Sequence, residues 1–307
     1  MVIYMSLSNR LLFCTGEGIG NVCQTIPVIR TLKEVLGYDI DFWHAFGAFH
    51  IEKFIPYVDN WYKGNEIVKV NKKNYKGAVS TWWTKDKVFN LPLLNEPSKL
   101  KLNRSEVDTY MDIARDLGVN EGNILWHGNC KYTPQDKYYD VVIHNGYKYN
   151  DTVTDWSVKS YPQYPEVVKV LQRSGLSICS IGATREYIKG TIDETGLPLK
   201  QSLGIVKNAK IYLGNDSGIY HCSNALEVPS VIIFTAMSIE KNYDSRFHKY
   251  STLIYRDDLE CRPCQGGRKW QKSCDRWRCR EIDPDYIAEQ VLNILKLNSF
   301  LNTYGRS

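Results

Sequence analysis

The stretch Lys210–Ser230 holds the residues of this chain that are best suited to binding an anion. The apolar run Ile211–Leu213 predicts a short strand, and Asn215 and Asp216 favour the N-cap of a helix that follows it. The first N–H groups of a helix have no partner within it, and the helix dipole makes this end electropositive. The turn therefore predicts an anion site or, as the alternative, an ordinary helix cap of an α/β protein.

Three residues at the start of this helix could contribute to an anion site. Ser217 and Gly218 supply backbone N–H groups, and the missing side chain of Gly218 lets a ligand approach the backbone closely. His221 lies one turn after Gly218 on the same face of the helix. Its imidazole is therefore predicted to reach the same anion.

Apolar runs alternate with helical patterns in both halves of the chain. The strand Leu11–Thr15, the glycine loop 16–21 and a following helix form one β-loop-α unit, and a second alternation runs from Asp140–His144 to Ser230–Phe234. The polar stretch Trp126–Lys137 has no period and is predicted to be the linker. The fold class is therefore α/β, with two doubly wound parallel sheets and a ligand cleft between two domains.

The glycine loop does not match a nicotinamide-binding domain. Its spacing is GxGxG rather than GxGxxG, and no acidic residue lies clearly at the end of the second strand, Asp39–Ala45. A helix at Phe49–Val58 and a strand at Ile67–Val70 are predicted further along this half.

The composition is typical of a globular chain with two domains. The 307 residues are 43% hydrophobic, which allows a large core, and no run of about 18 apolar residues occurs. The opening residues read as a first strand and not as a signal peptide, so we expect a cytoplasmic protein, peripheral at the inner membrane in one interpretation. The net charge of +5 is compatible with phosphorylated substrates, anionic lipid or nucleic acid and selects none of them.

Four cysteines near the C-terminus form the second group of chemically interesting residues. Cys261, Cys264, Cys274 and Cys279 have a spacing that can place four sulfurs around one tetrahedral ion, and structural Zn²⁺ is the predicted occupant. Reduced thiols without metal, disulfides and an iron–sulfur centre are the alternatives. Basic residues and two tryptophans crowd the same segment: Arg262, Arg268, Lys269, Trp270, Lys272, Arg276, Trp277, Arg278 and Arg280.

This basic and aromatic segment has two interpretations. Basic residues interleaved with aromatic ones are typical of surfaces that bind nucleic acid, a phosphorylated glycan or an anionic membrane. The alternative is a solvated basic loop held by the cysteines.

Three segments together resemble glycosyltransferase family 9, the ADP-heptose:lipopolysaccharide heptosyltransferases. They are GEGIGNVCQTIPVIRTLKE, SICSIGATRE and IYLGNDSGIYHCSNALEVPSVIIF. The resemblance implies the GT-B fold, with two Rossmann-like domains that face a central cleft and a C-terminal helix that crosses back to the first domain. It implies an acceptor-side domain at 1–134, a nucleotide-sugar domain at 135–285 that includes the cysteine-rich segment 261–279, and the crossing helix at 286–307.

The resemblance also implies a donor site and a reaction without a catalytic metal. The diphosphate of a nucleotide sugar would bind the N–H groups of Ser217 and Gly218 near His221, while Asp216 would cap the helix and contact the sugar. Further donor contacts are implied at Gly182, Thr184 and Arg185, with Lys189 as a weaker candidate. For Arg185 a surface ion pair, for example with Glu186, is the alternative.

The sequence departs from the family at the presumed catalytic base. The family's glycine loop normally ends in Gly-Asp, whereas this chain has Gly20 followed by Asn21, and an amide is not a base comparable to a carboxylate. Three interpretations follow: Glu17 supplies the carboxylate, Asn21 only positions the acceptor, or the protein binds a donor and turns it over poorly.

The leading hypothesis is thus a glycosyltransferase that moves a sugar, heptose by family default, from a nucleotide-diphosphate donor to a lipopolysaccharide core or other surface glycan. One alternative replaces the acceptor by a modified nucleic-acid base, because of the basic cysteine segment. The other is a sugar-nucleotide-binding protein with weakened catalysis, because of Asn21.

Overall fold

The chain divides into two compact units, Met1–Lys131 and Tyr132–Ser307. The division falls inside the stretch Trp126–Lys137, where the sequence predicts the linker. The computed structural model describes residues 9–16, 18–45, 51, 54–81, 90–96, 98–149, 156–265 and 277–304.

The described part of the first unit contains a four-stranded parallel sheet in the order β3-β2-β1-β4. The central strands are buried on both faces because helices cover them, as in other βα-connected sheets. The strands are β1 Arg10–Thr15, β2 Asp39–His44, β3 Asn60–Lys63 and β4 Gly77–Ser80, and the helices are α1 Ile19–Gln24, α2 Ile26–Glu34 and α3 Glu106–Asp116.

Two elements predicted for this unit are wrong. Residues 54–58, from the predicted helix Phe49–Val58, are turns and irregular backbone. Gly64–Lys69 is a 3₁₀-helix that covers most of the predicted strand Ile67–Val70. Short apolar runs do not distinguish a strand from a turn whose apolar side chains face a core, and Ile67 is indeed buried in the core of this unit.

The second unit contains a six-stranded parallel sheet in the order β10-β9-β8-β5-β6-β7. Its strands are β5 Val141–His144, β6 Ile178–Gly182, β7 Ile192–Thr195, β8 Ile211–Asn215, β9 Ser230–Phe234 and β10 Ser251–Tyr255. Its helices are α4 Tyr164–Arg173, α5 Leu199–Asn208, α6 Gly218–Ala225, α7 Ile239–Asn242 and α8 Pro284–Tyr304.

The long helix α8 packs on its own unit. Ile287, Ala288 and Val291 are fully buried in the same core as the apolar face of α4 and the inner residues of β8. The predicted crossing of this helix to the first unit stays a prediction. No helix in the described ranges is long and apolar enough to cross a bilayer.

The strand order of the second unit decides which loops meet. In a parallel sheet the carboxyl ends of all strands lie on one edge, and ligands bind there. Strands β8, β5 and β6 are neighbours, so the loops that follow Asn215, His144 and Gly182 converge. These loops hold the donor-binding residues predicted from the sequence together with residues that the sequence did not single out.

Candidate functional site

Asp216 lies at the centre of this edge, but it does not cap α6. The N-cap is Ser217, which makes no side-chain capping hydrogen bond, so the prediction that Asp216 caps the helix is wrong. The carboxylate of Asp216 is buried instead, and it accepts a hydrogen bond from Lys159 Nζ at 3.1 Å. His221 Nε2 lies 3.7 Å from its other oxygen.

The charge on Asp216 is maintained by these two neighbours. Burial by itself would raise the pKa of this carboxyl, but the charge of Lys159 and the neighbouring His221 hold the pKa well below its ordinary value. Asp216 is therefore ionised throughout the physiological range. The ammonium group of Lys159 lies beside it, which places a positive group next to the first turn of α6.

Lys159 is the main residue that sequence reasoning missed. It lies in the 3₁₀ turn Trp156–Lys159, and its ammonium is 5.1 Å from the centre of the Trp156 ring. A single lysine in an irregular segment carries no motif. It follows β5, a strand of the predicted second alternation, and this position at the carboxyl edge of the sheet could have indicated that the lysine lies near the site.

His221 is oriented by a second buried histidine. His221 Nδ1 lies 2.9 Å from His248 Nε2, and His248 Nδ1 accepts a hydrogen bond from the backbone N–H of Asp244 at 2.9 Å. Burial and the neighbouring His221 lower the pKa of His248, so this ring is neutral and carries its proton on Nε2. His248 therefore donates to His221, whose own N–H then faces Asp216 rather than solvent.

A second buried histidine array runs from the loop after β6 to the N-cap of α6. His144 Nδ1 is 3.1 Å from the hydroxyl of Ser217, and His144 Nε2 is 3.4 Å from a carboxylate oxygen of Glu186. Burial would raise the pKa of Glu186, but the hydrogen bond and charge of His144 and the N–H of Ala183 lower it. Carboxylate, imidazole and hydroxyl thus follow one another across three adjacent strand ends.

Two glycines hold this array in place. Gly182 has φ 119°, a conformation that L-residues rarely adopt, and a Cβ there would come within 2.9 Å of His144 Cδ2. A Cβ on Gly146 would come within 2.7 Å of Glu186 Oε1. Gly182, predicted as a donor contact, thus lies against Glu186 and His144.

The other donor residues predicted after β6 lie at the surface. Thr184, Arg185 and Lys189 are all exposed. The guanidinium of Arg185 stacks on Tyr149, with Cζ 3.3 Å from the ring centre, which holds the side chain beside the loop after β5. Their roles as donor contacts stay predictions.

The residues predicted to activate the acceptor lie in the first unit. Glu17 is outside the described residues. Asn21 lies on α1, and its Nδ2 donates to Glu106 Oε2 at 2.5 Å and to the hydroxyl of Tyr110 at 3.1 Å. Gln24 donates to the same oxygen of Glu106 at 2.8 Å. A buried carboxylate on α3 thus holds the side-chain amide of Asn21 on α1, inside the stretch 16–21 that the sequence predicts to be a glycine loop.

Three of the four cysteines predicted to bind metal lie within the described residues. Cys261 is exposed, Cys264 is half-buried and Cys279 is buried, and all three thiols lie close enough to Arg262 to affect its pKa. Across the described ranges, no three His, Cys, Asp or Glu side chains are arranged to hold a metal ion. Cys274 lies outside these residues, so the zinc site stays a prediction.

The family model of glycosyltransferase family 9 (heptosyltransferase) matches residues 151–270. This segment includes the loops after β6 and β8, with Glu186, Asp216 and Ser217. The resemblance predicted from the sequence is thereby confirmed for this part of the chain. No curated protein matches the chain by sequence.

Several solved structures share the fold over nearly the whole chain. The family 9 glycosyltransferase from Veillonella parvula DSM 2008 is 14% identical, with a TM-score of 0.69, and the match covers 95% of this chain and 98% of that one. E. coli ADP-heptose lps heptosyltransferase II is 13% identical, with a TM-score of 0.69, and the match covers 94% of this chain and 99% of that one. The dodecameric iron-containing heptosyltransferase TibC from enterotoxigenic E. coli, in complex with ADP-D-β-D-heptose, is 14% identical, with a TM-score of 0.66. This match covers 96% of this chain and 78% of that one.

These similarities confirm the predicted GT-B fold. Together with the family match, they support a glycosyltransferase enzyme.

Replacing Asp216 by Asn should lower the free energy of unfolding at pH 7 by on the order of 3 kcal/mol, because Lys159 would keep a largely buried charge without its counter-ion. The pKa of Asp216 is depressed from 3.8, so its stabilisation is fully present above about pH 4 and is lost as the pH falls toward the folded-state value. Urea unfolding at pH 7 and pH 3 measures this. The exposed Asp136→Asn is the control, and an equal loss of stability in D216N at both pH values would contradict the assignment.

Replacing Asn21 by Asp should place two carboxylates in contact, because the amide nitrogen that it removes lies 2.5 Å from Glu106. Repulsion between the two carboxylates raises the pKa of one of them in the folded state. The variant should therefore be less stable than the wild type at neutral pH, and this difference should vanish below about pH 4, where the carboxyl is protonated. Urea unfolding as a function of pH measures it. The double variant N21D/E106Q restores one amide and one carboxylate and should recover the lost stability; continued loss would show that the contact is not responsible.

Proposed function

We propose that this chain, whose residues 151–270 match a heptosyltransferase family, transfers heptose from ADP-heptose to a lipopolysaccharide core or another surface glycan. The observation that carries the donor site is the charged Lys159–Asp216 pair beside the N-terminus of α6. An ammonium group, the first N–H groups of a helix and the hydroxyl of Ser217 are all suited to a diphosphate.

ADP-heptose is proposed as the donor because two of the similar structures carry it in their names. The E. coli enzyme is named an ADP-heptose heptosyltransferase, and TibC is in complex with ADP-D-β-D-heptose. The acceptor is proposed from the family resemblance alone. It agrees with the proposed location in the cytoplasm, at an anionic membrane surface where a glycolipid would be presented.

In the proposed reaction an acceptor hydroxyl attacks the anomeric carbon of the donor sugar. The new bond forms from the acceptor oxygen to that carbon, and the bond from the carbon to the diphosphate oxygen breaks, with inversion. The electron pair leaves with the diphosphate, whose charge Lys159 and the N-terminus of α6 stabilise. No catalytic metal is proposed.

The proton of the acceptor hydroxyl must go to a base. Glu17 is the proposed base, since Asn21 has no comparable basic site and its amide nitrogen already donates to Glu106. Asn21 keeps its carbonyl oxygen, which can accept a hydrogen bond from an acceptor hydroxyl and so orient it.

A donor-binding protein with weak turnover is the second candidate function. It is supported by Asn21, because the position that carries an aspartate in the family holds an amide here. The two candidates agree on the donor and differ in the release of ADP.

The test combines binding and turnover. ADP-heptose should raise the melting temperature more than other nucleotide sugars, and release of ADP should follow when acceptor is added. Lys159→Met should weaken ADP binding roughly tenfold or more, the expected loss for a hydrogen bond to a charged group. Lys169→Met on α4, which removes an exposed lysine, is the matched control.

Each outcome separates the candidates. Binding with release of ADP supports the transferase, and binding without release in the presence of lipopolysaccharide core acceptors supports the second candidate. The absence of binding by any nucleotide sugar would contradict both.

We also propose that Cys261, Cys264, Cys274 and Cys279 hold a structural zinc ion rather than a catalytic one. The three described sulfurs lie near Arg262 but are not arranged to hold a metal ion, so the proposal rests on the spacing of the four cysteines in the sequence.

Elemental analysis of the purified protein should find about one zinc per chain, because a four-cysteine site binds one ion. Cys279→Ser should lose this metal and lower the melting temperature, while Cys130→Ser, outside the cluster, should keep it. Iron in place of zinc would correct the identity of the metal, and no metal would contradict the proposal.

A further inference from the structure

The imidazole of His144 is held between a carboxylate and a hydroxyl. Glu186 faces Nε2 and the hydroxyl of Ser217 faces Nδ1, and the three side chains are all at least nine-tenths buried. The proposed function does not use His144 or Glu186. The array nevertheless ends at Ser217, the N-cap residue of the helix assigned to the diphosphate.

The neighbours of the ring determine where its proton lies. In the neutral form of His144 the proton lies on Nε2, because the carboxylate of Glu186 faces this nitrogen at 3.4 Å. Nδ1 is then an acceptor, and it takes the hydrogen of the Ser217 hydroxyl. With the ring neutral, the Ser217 hydroxyl is thus directed into the protein.

An anion at the N-terminus of α6 changes this arrangement. Ser217 can bind a phosphate oxygen only by turning its hydrogen outward, which takes the donor away from Nδ1. The ring then lies between two anions, Glu186 and the phosphate, and both favour its charged form. A proton taken from solvent onto Nδ1 lets His144 donate to Ser217 Oγ while Ser217 donates to the phosphate.

Among the described residues, a tyrosine hydroxyl also faces the ring. The hydroxyl of Tyr212, from β8, lies 3.5 Å from Nδ1, and burial raises its pKa, so it stays neutral. Beyond Ser217, the charge of Asp216 is paired with Lys159. Arg185 acts on the far side of Glu186 and helps keep that carboxylate ionised.

We propose that His144 couples the binding of the donor's diphosphate to the uptake of one proton, through Ser217 on one side and Glu186 on the other. The proposal rests on the proposed function for the identity of the anion. His144 and Glu186 are positioning residues in this scheme, and Ser217 is the group that contacts the phosphate. No covalent bond forms or breaks.

Proton uptake is measured by titrating ADP into the protein in two buffers with different ionisation enthalpies, between pH 6.5 and 8.5. ADP itself has a phosphate pKa of about 6, so the informative quantity is the difference between variants at the same pH. His144→Gln keeps a hydrogen-bonding side chain that cannot titrate. It should take up roughly 0.5–1 fewer protons per ADP than the wild type near the pH of maximal uptake.

The affinity for ADP provides a second readout. In the wild type it should fall with rising pH, by up to roughly tenfold per pH unit, where His144 loses its bound proton. His144→Gln and Ser217→Ala should both lack this slope, and Glu186→Gln should shift it to lower pH. The exposed His127→Gln in the first unit is the control and should behave like the wild type.

The outcomes separate this inference from the proposed function. Binding of ADP with equal proton uptake in the wild type and in H144Q overturns the inference and leaves the donor site intact. If ADP does not bind but inorganic pyrophosphate does, the donor is wrong, and the same comparison with pyrophosphate decides the role of His144. If neither binds, both proposals fail. Ser217→Ala decides the question if H144Q does not fold.

Discussion

The buried ion pair between Lys159 and Asp216 is the interaction on which the rest of the site depends. A carboxylate that is 2% exposed stays charged chiefly because a cation lies 3.1 Å away, and the lysine in turn stays beside the helix terminus because of the carboxylate. The pair joins the turn after β5 to the turn after β8. The carboxylate of the pair also faces the N–H of His221, whose direction His248 fixes.

The sequence predicted the elements that position this site better than the contacts within it. The helix α4, Tyr164–Arg173, lies inside the second alternation predicted from the sequence; its apolar residues repeat with a helical period, and a proline stands in its first turn. The turn from β8 into α6 was predicted because an apolar run is followed there by residues that favour the start of a helix. The edge strand β7, IDET, was missed because its mostly polar, exposed residues give no apolar signal.

The roles of single polar residues could not be predicted in this way. Asp216 has the residue type of an N-cap, but its carboxylate is bound by a lysine 57 positions earlier in the chain. Likewise Glu106 holds the amide of Asn21 across 85 positions. Such pairs depend on which helices and strands pack together, and neither residue type nor local spacing encodes that. The departure at Asn21 was visible in the sequence, whereas the carboxylate beside it was not.

Gly146 and Gly182, which pack against Glu186 and His144, mark the part of the site that does not tolerate substitution. Any side chain at Gly146 or Gly182 would displace the carboxylate or the imidazole, so these loops tolerate no growth toward the array. Thr184, Arg185 and Lys189 lie on the same loop but face solvent, where substitutions cost little stability. In the proposed donor site, changes at these exposed positions would alter which nucleotide or sugar is accepted while Glu186 and His144 stayed the same, and directed evolution of donor choice would begin there.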